Sequence, residues 1–145
     1  MSFIAKNPLF ATQVRSSFER QMAMSSIGAE LLLVEQGKVE IALPYRSDLT
    51  QQHGYMHAGI ITTIADTACG YAAYTLMPAG SEVLSVEFKV NLLRPAKGER
   101  FIAVANVLKP GRTLTVVRAD VFSVNEESER ELIATMLATM ICLQR

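Results

Sequence analysis

The sequence predicts an α+β fold in which an antiparallel sheet of about six strands wraps around one central buried helix, with a further helix at the N-terminus. The first observation is a run over residues 57–76 that is apolar on every side of a helix, which is typical of a helix buried all round. The second is that four later segments alternate apolar and polar side chains with a period of two. The third is the length of 145 residues, which suits a single domain spanning 1–145.

Two helices are predicted. The N-terminal helix runs from about Pro8 to Met24, because proline suits a first helical turn and an apolar residue recurs at every fourth position. These residues would share one buried face: Phe10, Val14, Phe18 and Met22. The central helix runs from His57 to about Leu76 and ends at the segment Met77-Pro78-Ala79-Gly80.

The predicted strands begin with a hairpin, whose arms are residues 29–35 and 38–43 and whose turn is Gln36-Gly37. A loop over residues 45–56 leads to the central helix. After Gly80, four strands are predicted to follow one another as a meander: 83–94, 101–108, 114–124 and 132–143. On the first of these, one face is predicted to carry Leu84, Val86, Phe88, Val90 and Leu92, and the other Ser85, Glu87, Lys89 and Asn91.

Composition excludes several classes of function. The 14 basic and 14 acidic residues give a formal net charge of zero, so no nucleic-acid surface is predicted. Only 19% of the residues are charged, which indicates that another subunit covers part of the apolar surface. Cys69 and Cys142 lack the spacing of a metal site, so no metal is expected. The N-terminus does not resemble a signal peptide, and we expect a reducing, cytoplasmic location.

Residues 58–80 could be mistaken for a transmembrane segment, because they carry a single charge. That charge, Asp66, lies near the middle of the segment, where an aspartate costs about 2.5–3.5 kcal/mol on insertion scales. The segment also contains three glycines, four threonines and a proline. We therefore expect no membrane span.

Asp66 is the first candidate for a functional residue. It is the only charged residue between His57 and Glu82, and it lies midway along the helix predicted to be most buried. A carboxylate in that position must be paired, hydrogen-bonded or neutral. Two interpretations stay open here, namely a reactive group in a cavity and a structural aspartate that only satisfies neighbouring donors.

The start of the same helix, His57-Ala58-Gly59, is the second candidate. A helix N-terminus offers unpaired N–H groups and the positive end of the helix dipole, which can stabilise an oxyanion, and Gly59 would let a ligand approach the backbone. An ordinary glycine near a helix start is the alternative. Ala58 and Asp66 are eight residues apart, about 12 Å along a helix. If both act on one carbon, they come from different subunits of a dimer.

Two segments carry a resemblance to a known family. QQHGYMHAGIITTIADTACGYAAYTLMP resembles the HGG…D signature of the PaaI-like, four-hydroxybenzoyl-CoA thioesterase branch of the hotdog superfamily. VEFKVNLLRPAKGERFIAVANVLKPGRTLTVV resembles the strand–turn–strand–turn block of that family. The resemblance covers nearly the whole chain. It implies the hotdog fold, in which a sheet wraps around a central helix, and dimers that often pair into tetramers.

The resemblance also implies an acyl-coenzyme A thioesterase in which Asp66 is the general base or nucleophile on the thioester carbonyl. The N–H of Ala58 would bind the carbonyl oxygen, helped by His57. Gln51 matches the Asn or Gln that family members carry near the thioester. Ser85 matches a Ser or Thr that often orients water.

Two departures from the family pattern stand out. The middle residue of HGG is Ala58 here, which keeps the N–H but makes the approach tighter. Two histidines look motif-like, and we prefer His57 to His53 because His57 has the matching distance to Asp66.

Coenzyme A carries phosphates, so cations are expected to border the site. The candidates lie in or beside turns: Arg94, Lys97, Lys109 and Arg112, of which Arg112 is preferred. For each of them a solvated surface charge is the alternative. Coenzyme A is part of the substrate, and no separate cofactor is expected.

Other residues have simpler interpretations. Cys69 is expected to be a buried apolar residue rather than a nucleophile. Ile64, Tyr71 and Tyr74 are expected in the core or in an acyl pocket that would accept an aryl or a medium-chain group. Two other functions stay open, a hotdog hydratase or dehydratase and a non-catalytic acyl-CoA or acyl-lipid binding protein. The carboxylate of Asp66 argues against a pure binder.

Overall fold

The computed structural model describes residues 2–144 and contains both predicted helical regions and all the predicted strands, with shifts at their ends. The elements are, in chain order, α1 Phe10–Arg20, α2 Met22–Ile27, β1 Glu30–Glu35, β2 Lys38–Pro44, α3 Ala58–Tyr74, β3 Glu82–Leu92, β4 Arg100–Lys109, β5 Leu114–Val124 and β6 Arg130–Leu143. A 3₁₀ turn, Ser47–Leu49, lies in the loop before α3.

Within residues 2–144 the strands form one six-stranded antiparallel sheet in the order β1-β2-β4-β5-β6-β3. One face of this sheet packs on α3, which contacts strands β2 to β6. Ile61 and Ile64 of the helix are fully buried there, together with Phe101 and Met136 of the sheet. The predicted sheet around a central helix, the hotdog arrangement, is confirmed.

The strand order corrects one prediction. β3 lies at an edge of the sheet and pairs with β6, whereas β4 pairs with β2 and β5. The segment 93–99 carries the chain from that edge back to the middle and passes the start of α3, where the Met56 N–H donates to the Ala96 carbonyl at 3.0 Å. A meander is therefore right for β4 to β6 and wrong for β3, because alternation identifies a strand but not its neighbours.

The N-terminal helix is divided in two, which the sequence did not predict. Gln21 has an extended backbone (φ −81°, ψ 97°) and separates α1 from α2. Val14 lies in the core as expected, but Met22 is 81% exposed because the break rotates α2. Met24 and Ile27 are buried in its place.

The central helix is not buried on every side, and this prediction was wrong. The sheet covers only one side of α3, so a stripe of polar and small residues on the other side is half-buried: Thr62, Thr63, Asp66, Thr67 and Gly70. The spacing of these residues by three and four positions places them along one face. The functional candidate Asp66 therefore lies on the open face of the helix.

Candidate active site

Asp66 is held by a hydroxyl from the edge strand. The Ser85 Oγ donates a hydrogen bond to the Asp66 Oδ1 at 2.6 Å. In β3, Ser85 and Glu87 both pair with β6, and Val86 between them forms a bulge. The extra residue shifts the alternation of side chains between the two faces of β3. Ser85 before the bulge and Val90 after it therefore both face the helix, and the predicted single apolar face of β3 is wrong.

The pair opens into a cavity of about 230 Å³. Its walls come from α1 and the α1–α2 break, from α3, and from β3 and β6; besides Asp66 and Ser85 they include Ser17, Gln21, Thr67, Tyr71, Tyr74 and Glu82. We call Asp66, Ser85 and this cavity the carboxylate half-site. Because Ser85 donates to Oδ1, Oδ2 is the oxygen left to meet a water or a substrate.

The start of α3 is capped by the side chain of His57. The His57 Nδ1 accepts a hydrogen bond from the Gly59 N–H at 2.8 Å, so the ring carries its proton on Nε2 when neutral. Gly59 therefore serves the cap, and a Cβ there would lie 3.0 Å from the His57 Nδ1. Within residues 2–144 the Ala58 N–H has no hydrogen-bond partner. It is the free donor at this helix end.

Gln51 lies beside Ala58 in a second cavity of about 440 Å³. Its Oε1 accepts the backbone N–H groups of His53 and Tyr55, which fixes the side chain in the loop. The rest of the wall is mainly apolar: Met56, Ile61, Leu92, Leu93, Pro95, Ala96 and Ile133, with Arg94 at the rim. We call Ala58, Gln51 and this cavity the amide half-site. His53 is an exposed loop residue, as expected.

The two half-sites lie apart within one chain. Among residues 2–144, none lines both cavities. Ala58 and Asp66 are separated by eight residues of continuous helix, which is about 12 Å. One thioester carbonyl cannot contact the amide and the carboxylate of the same chain.

Comparison with known proteins gives the family. Residues 53–129 match the model of the thioesterase superfamily, a segment that includes Ala58, Asp66 and Ser85. The chain belongs to the thioesterase superfamily. Membership makes it a thioester hydrolase, as the sequence predicted, and the resemblance on which that prediction rested is confirmed at the level of the family.

Individual members of the superfamily are similar over most of their length. A thioesterase family protein from Silicibacter pomeroyi has a crystal structure that superposes with a TM-score of 0.91 at 51% identity, covering 94% of this chain and 99% of that one. An acyl-coenzyme A thioesterase 13 from Pongo abelii is 30% identical over 62% of this chain and 64% of its own. A 1,4-dihydroxy-2-naphthoyl-CoA hydrolase from Listeria monocytogenes is 25% identical over 74% and 85%.

The basic residues predicted to bind coenzyme A are divided between the two ends of α3. Arg94 lines the cavity of Ala58 and makes an ion pair with Glu131 at 3.1 Å, with both side chains more than half exposed. Arg112 lines a third cavity, of about 350 Å³, beside the chain segment that follows α3. Lys109 ends β4 near that place, and Lys97 is exposed in the turn before β4.

Cys69 follows Asp66 by one helical turn. It is fully buried, and burial raises the pKa of its thiol, with a further increase from the Asp66 carboxylate. A thiol held in its neutral form is a poor nucleophile. This agrees with the apolar role expected for Cys69.

Sequence reasoning did not identify Gln21, which lines the carboxylate half-site and connects it to α3. Gln21 bridges two residues of α3: the Thr67 Oγ1 donates to its Oε1 at 3.2 Å, and its Nε2 donates to the Tyr71 hydroxyl at 3.0 Å. No signal in the sequence could have found it, because a glutamine on the polar side of a predicted amphipathic helix is ordinary.

None of the helices in the described part of the chain combines the length and hydrophobicity that crossing a membrane requires.

Proposed function

We propose that this thioesterase hydrolyses acyl-coenzyme A substrates with an aryl or medium-chain acyl group, using Asp66 as base or nucleophile. The observation that carries the proposal is the Asp66–Ser85 pair, a carboxylate oriented by a hydroxyl at the wall of a cavity. The names of the relatives from Pongo abelii and Listeria monocytogenes support a coenzyme A thioester as the substrate. The two free cysteines fit the reducing cytoplasm, where such substrates occur.

The chemistry needs few groups, because a thioester carbonyl is electrophilic and a thiolate leaves readily. Asp66 removes a proton from water while the water oxygen bonds to the carbonyl carbon, and the carbonyl oxygen becomes an oxyanion. The Ala58 N–H, assisted by Gln51 and His57, donates to that oxyanion. The carbon–sulfur bond then breaks, the acid is released, and the thiolate takes up the proton. The reaction uses no cofactor besides the coenzyme A of the substrate.

Direct attack by Asp66, which would form an acyl anhydride, is the second route. A single turnover in ¹⁸O-labelled water tests for the anhydride. Label found in the Asp66 carboxylate by mass spectrometry identifies an anhydride opened at the aspartyl carbon. Label found only in the released acid shows that water attacks the acyl carbon, which is the outcome of direct hydrolysis and of an anhydride opened at that carbon.

We propose that each active site combines the carboxylate half-site of one chain with the amide half-site of a second. The separation of about 12 Å along α3 requires this if both groups act on one carbon. The second chain would pair along β3, an edge strand whose apolar residues are exposed: Leu84 by 57%, Val86 by 52% and Phe88 by 42%. A long apolar edge strand is normally covered in a stable protein.

The proposed arrangement assigns the coenzyme A arm to the amide half-site. Its apolar wall suits pantetheine, and Arg94 at its rim would attract a phosphate of the nucleotide. The ion pair with Glu131 is exposed, so a phosphate could replace that partner at little cost. Arg112 lines a different cavity, beside the segment that follows α3, and Lys109 lies near it. In this arrangement neither residue borders the amide half-site.

The test is release of free thiol from a panel of acyl-CoA substrates by the wild type and by Asp66→Asn. The substitution keeps the shape of the side chain and should lower kcat by at least about 10³-fold. Asp120→Asn is a matched control, because the Asp120 Oδ1 also accepts from a hydroxyl, that of Thr135 at 2.7 Å, but Asp120 lines neither half-site. Wild-type turnover in Asp66→Asn would refute the proposed function.

A further inference from the structure

The third cavity, of about 350 Å³, belongs to neither half-site and lies within one chain. Its walls come from the N-terminal segment, the residues after α3, the turn between β4 and β5, the start of β5 and the end of β6. None of the described residues that line it lies on β3 or lines either half-site. The second chain proposed to pair along β3 is therefore not needed to complete this cavity.

A buried hydroxyl without a partner faces the third cavity. Thr115 lies on the face of β5 that carries Val117 and Ala119, and it is only 3% exposed. Within residues 2–144 its hydroxyl makes no hydrogen bond, and among these residues only the Ser81 hydroxyl is both unpartnered and sealed from solvent. The Thr115 hydroxyl is therefore open to the cavity that it lines. Buried donors of this kind are normally satisfied by a bound water or a ligand.

Two cations lie at the mouth of the cavity, and no carboxylate opposes them. Lys6 lines it from the N-terminal segment and Arg112 from the β4–β5 turn, and both are exposed. Among the described residues, no aspartate or glutamate lines the cavity, and within residues 2–144 neither cation makes an ion pair. Their charge is therefore available to an anion, and the guanidinium of Arg112 can donate two parallel hydrogen bonds to a carboxylate.

The fold holds both segments that carry these cations. At the β4–β5 turn the Cys142 N–H donates to the Thr113 carbonyl at 2.8 Å. The same turn is tight at Gly111, where a side chain would collide with a backbone oxygen. The N-terminal segment is tied to the β1–β2 turn, because the Ala5 N–H donates to the side-chain oxygen of Gln36. A ligand would not have to order either segment, which lowers the entropic cost of binding.

The rest of the wall and the volume define the remainder of the ligand. A volume of about 350 Å³ exceeds the roughly 150 Å³ that holds a benzene molecule, and it falls in the range of sites for single small molecules. Acetate or inorganic phosphate would leave most of the wall uncovered, because that wall is apolar. Its apolar side chains include Phe3, Leu76, Met77, Pro78 and Pro110.

We propose that the third cavity binds a free carboxylic acid, in its ionised form, with an aryl or medium-chain apolar body. The Thr115 hydroxyl donates to the carboxylate, and Arg112 and Lys6 neutralise its charge. The apolar body lies against Leu76 and Met77. Arg112 thus serves an anion other than the coenzyme A phosphate expected from the sequence. Acids of this class include the product of the proposed hydrolysis, but the site does not depend on that activity.

The test measures the binding of octanoate to the wild type and to variants by isothermal titration calorimetry. Acetate lacks the apolar body and octylamine lacks the negative charge, so each should bind at least about tenfold more weakly than octanoate. Arg112→Ala should raise the Kd for octanoate by roughly tenfold or more, because it removes a charge-assisted hydrogen bond. Thr115→Val keeps the shape of the side chain and should raise that Kd by roughly three- to tenfold. Arg94→Ala is the matched control, because Arg94 lines the amide half-site instead, and its Kd should equal that of the wild type.

A urea titration separates a ligand-binding role of Thr115 from a structural one. Because its hydroxyl has no partner within residues 2–144, Thr115→Val should unfold at the same urea concentration as the wild type or at a higher one. A lower midpoint would show that the hydroxyl supports the fold and would overturn its assignment to the ligand. Arg112 is exposed in a turn, so Arg112→Ala keeps the test valid whatever the stability of Thr115→Val.

Three results would overturn the proposed site. An unchanged Kd for octanoate in Arg112→Ala would place the acid elsewhere, and octylamine binding as tightly as octanoate would remove the requirement for a negative charge. Displacement of octanoate by free coenzyme A, together with weaker binding of coenzyme A to Arg112→Ala, would assign the cavity to the coenzyme A of the substrate. These measurements need no turnover, so a failure to bind octanoate leaves the proposed hydrolysis intact, and a failure to hydrolyse acyl-CoA leaves the octanoate site intact.

Discussion

The sharing of each active site between two chains can be tested by removing one donor from the backbone. Ala58→Pro deletes the N–H proposed to bind the oxyanion, and the fold should tolerate it because Ala58 is the first residue of α3, where proline is favoured. The preceding residue, His57, already has ψ 135°, which proline requires of its neighbour. The deleted N–H has no partner within residues 2–144, so no structural hydrogen bond is lost. Ala58→Ser, which keeps the N–H, is the control.

The loss of activity in each variant and its recovery in mixed dimers both have expected magnitudes. Loss of one oxyanion donor should lower kcat by about 10²- to 10³-fold, and Asp66→Ala should be at least as inactive. The two variants are then unfolded together in equal amounts and refolded. Half of the dimers contain one chain of each kind, and in these one site combines the intact Ala58 of one chain with the intact Asp66 of the other. The mixture should therefore recover about a quarter of wild-type activity.

The sharing of sites between chains would be refuted if the refolded mixture recovered no activity. If each site lay within one chain, every site in the mixture would carry a defect, and thiol release would stay at the level of the separate variants. Circular dichroism and sedimentation of each variant should show the helix content and the assembly of the wild type. Ala58→Pro with wild-type kcat would remove the Ala58 amide from the mechanism.

Three further results are expected. Ser85→Ala should lower kcat by about 10- to 100-fold, because it removes a charge-assisted hydrogen bond to Asp66, and unchanged steady-state kinetics would exclude Ser85 from the site. Arg94→Ala should raise KM for an acyl-CoA more than it raises KM for a short thioester that lacks the nucleotide. The increase for the acyl-CoA should also exceed the increase caused by Arg112→Ala, and equal increases in the two variants would contradict the preference for Arg94 over Arg112 as the residue that binds the nucleotide. Burial raises the pKa of the Cys69 thiol above its ordinary 9.0, so the unfolded chain loses this proton first, and the free energy of unfolding should fall above about pH 9 in urea titrations. Cys69→Ala should weaken that fall, and identical pH profiles would contradict it.

Elements that depend on residues close together in the chain were predicted correctly from the sequence. The turn Gln36-Gly37 joins β1 to β2 at the predicted place, and Gly37 has the positive φ of 76° that such a turn needs. The strand predicted over 114–124 is β5, with the same ends. Both are set by neighbours in the chain, namely turn residues and the alternation between them.

Where tertiary contacts decide, prediction failed. The pattern Phe10, Val14, Phe18 and Met22 favours one continuous helix, and only the bonds of Gln21 to α3 explain the break. The bulge at Val86 could not be predicted either, because apolar and polar residues alternate without interruption from Leu84 to Leu92. Pairing with β6 introduces the extra residue.

The candidate site was predictable to the extent that it depends on one helix. The isolated carboxylate of Asp66 and the free amide at Ala58 follow from residue type and position along α3. The Ser85–Asp66 bond depends on which way a bulged edge strand faces, and the family resemblance suggested Ser85 only as a residue that orients water. The cap formed by His57 on Gly59 could have been inferred from the N-cap position, although histidine is not a common residue there.

The position of β3 in the sheet has a consequence for the timing of folding. Its only neighbour within residues 2–144 is β6, with Glu82 opposite Leu143, so the strand that carries Ser85 cannot join the sheet until Arg130–Leu143 has been synthesised. A nascent chain can form the hairpin, α3 and the pair of β4 with β5 earlier than this. The hydroxyl that orients the carboxylate is therefore among the last groups to reach its place, and a ribosome-bound chain that stops before β6 should be structured in large part yet inactive.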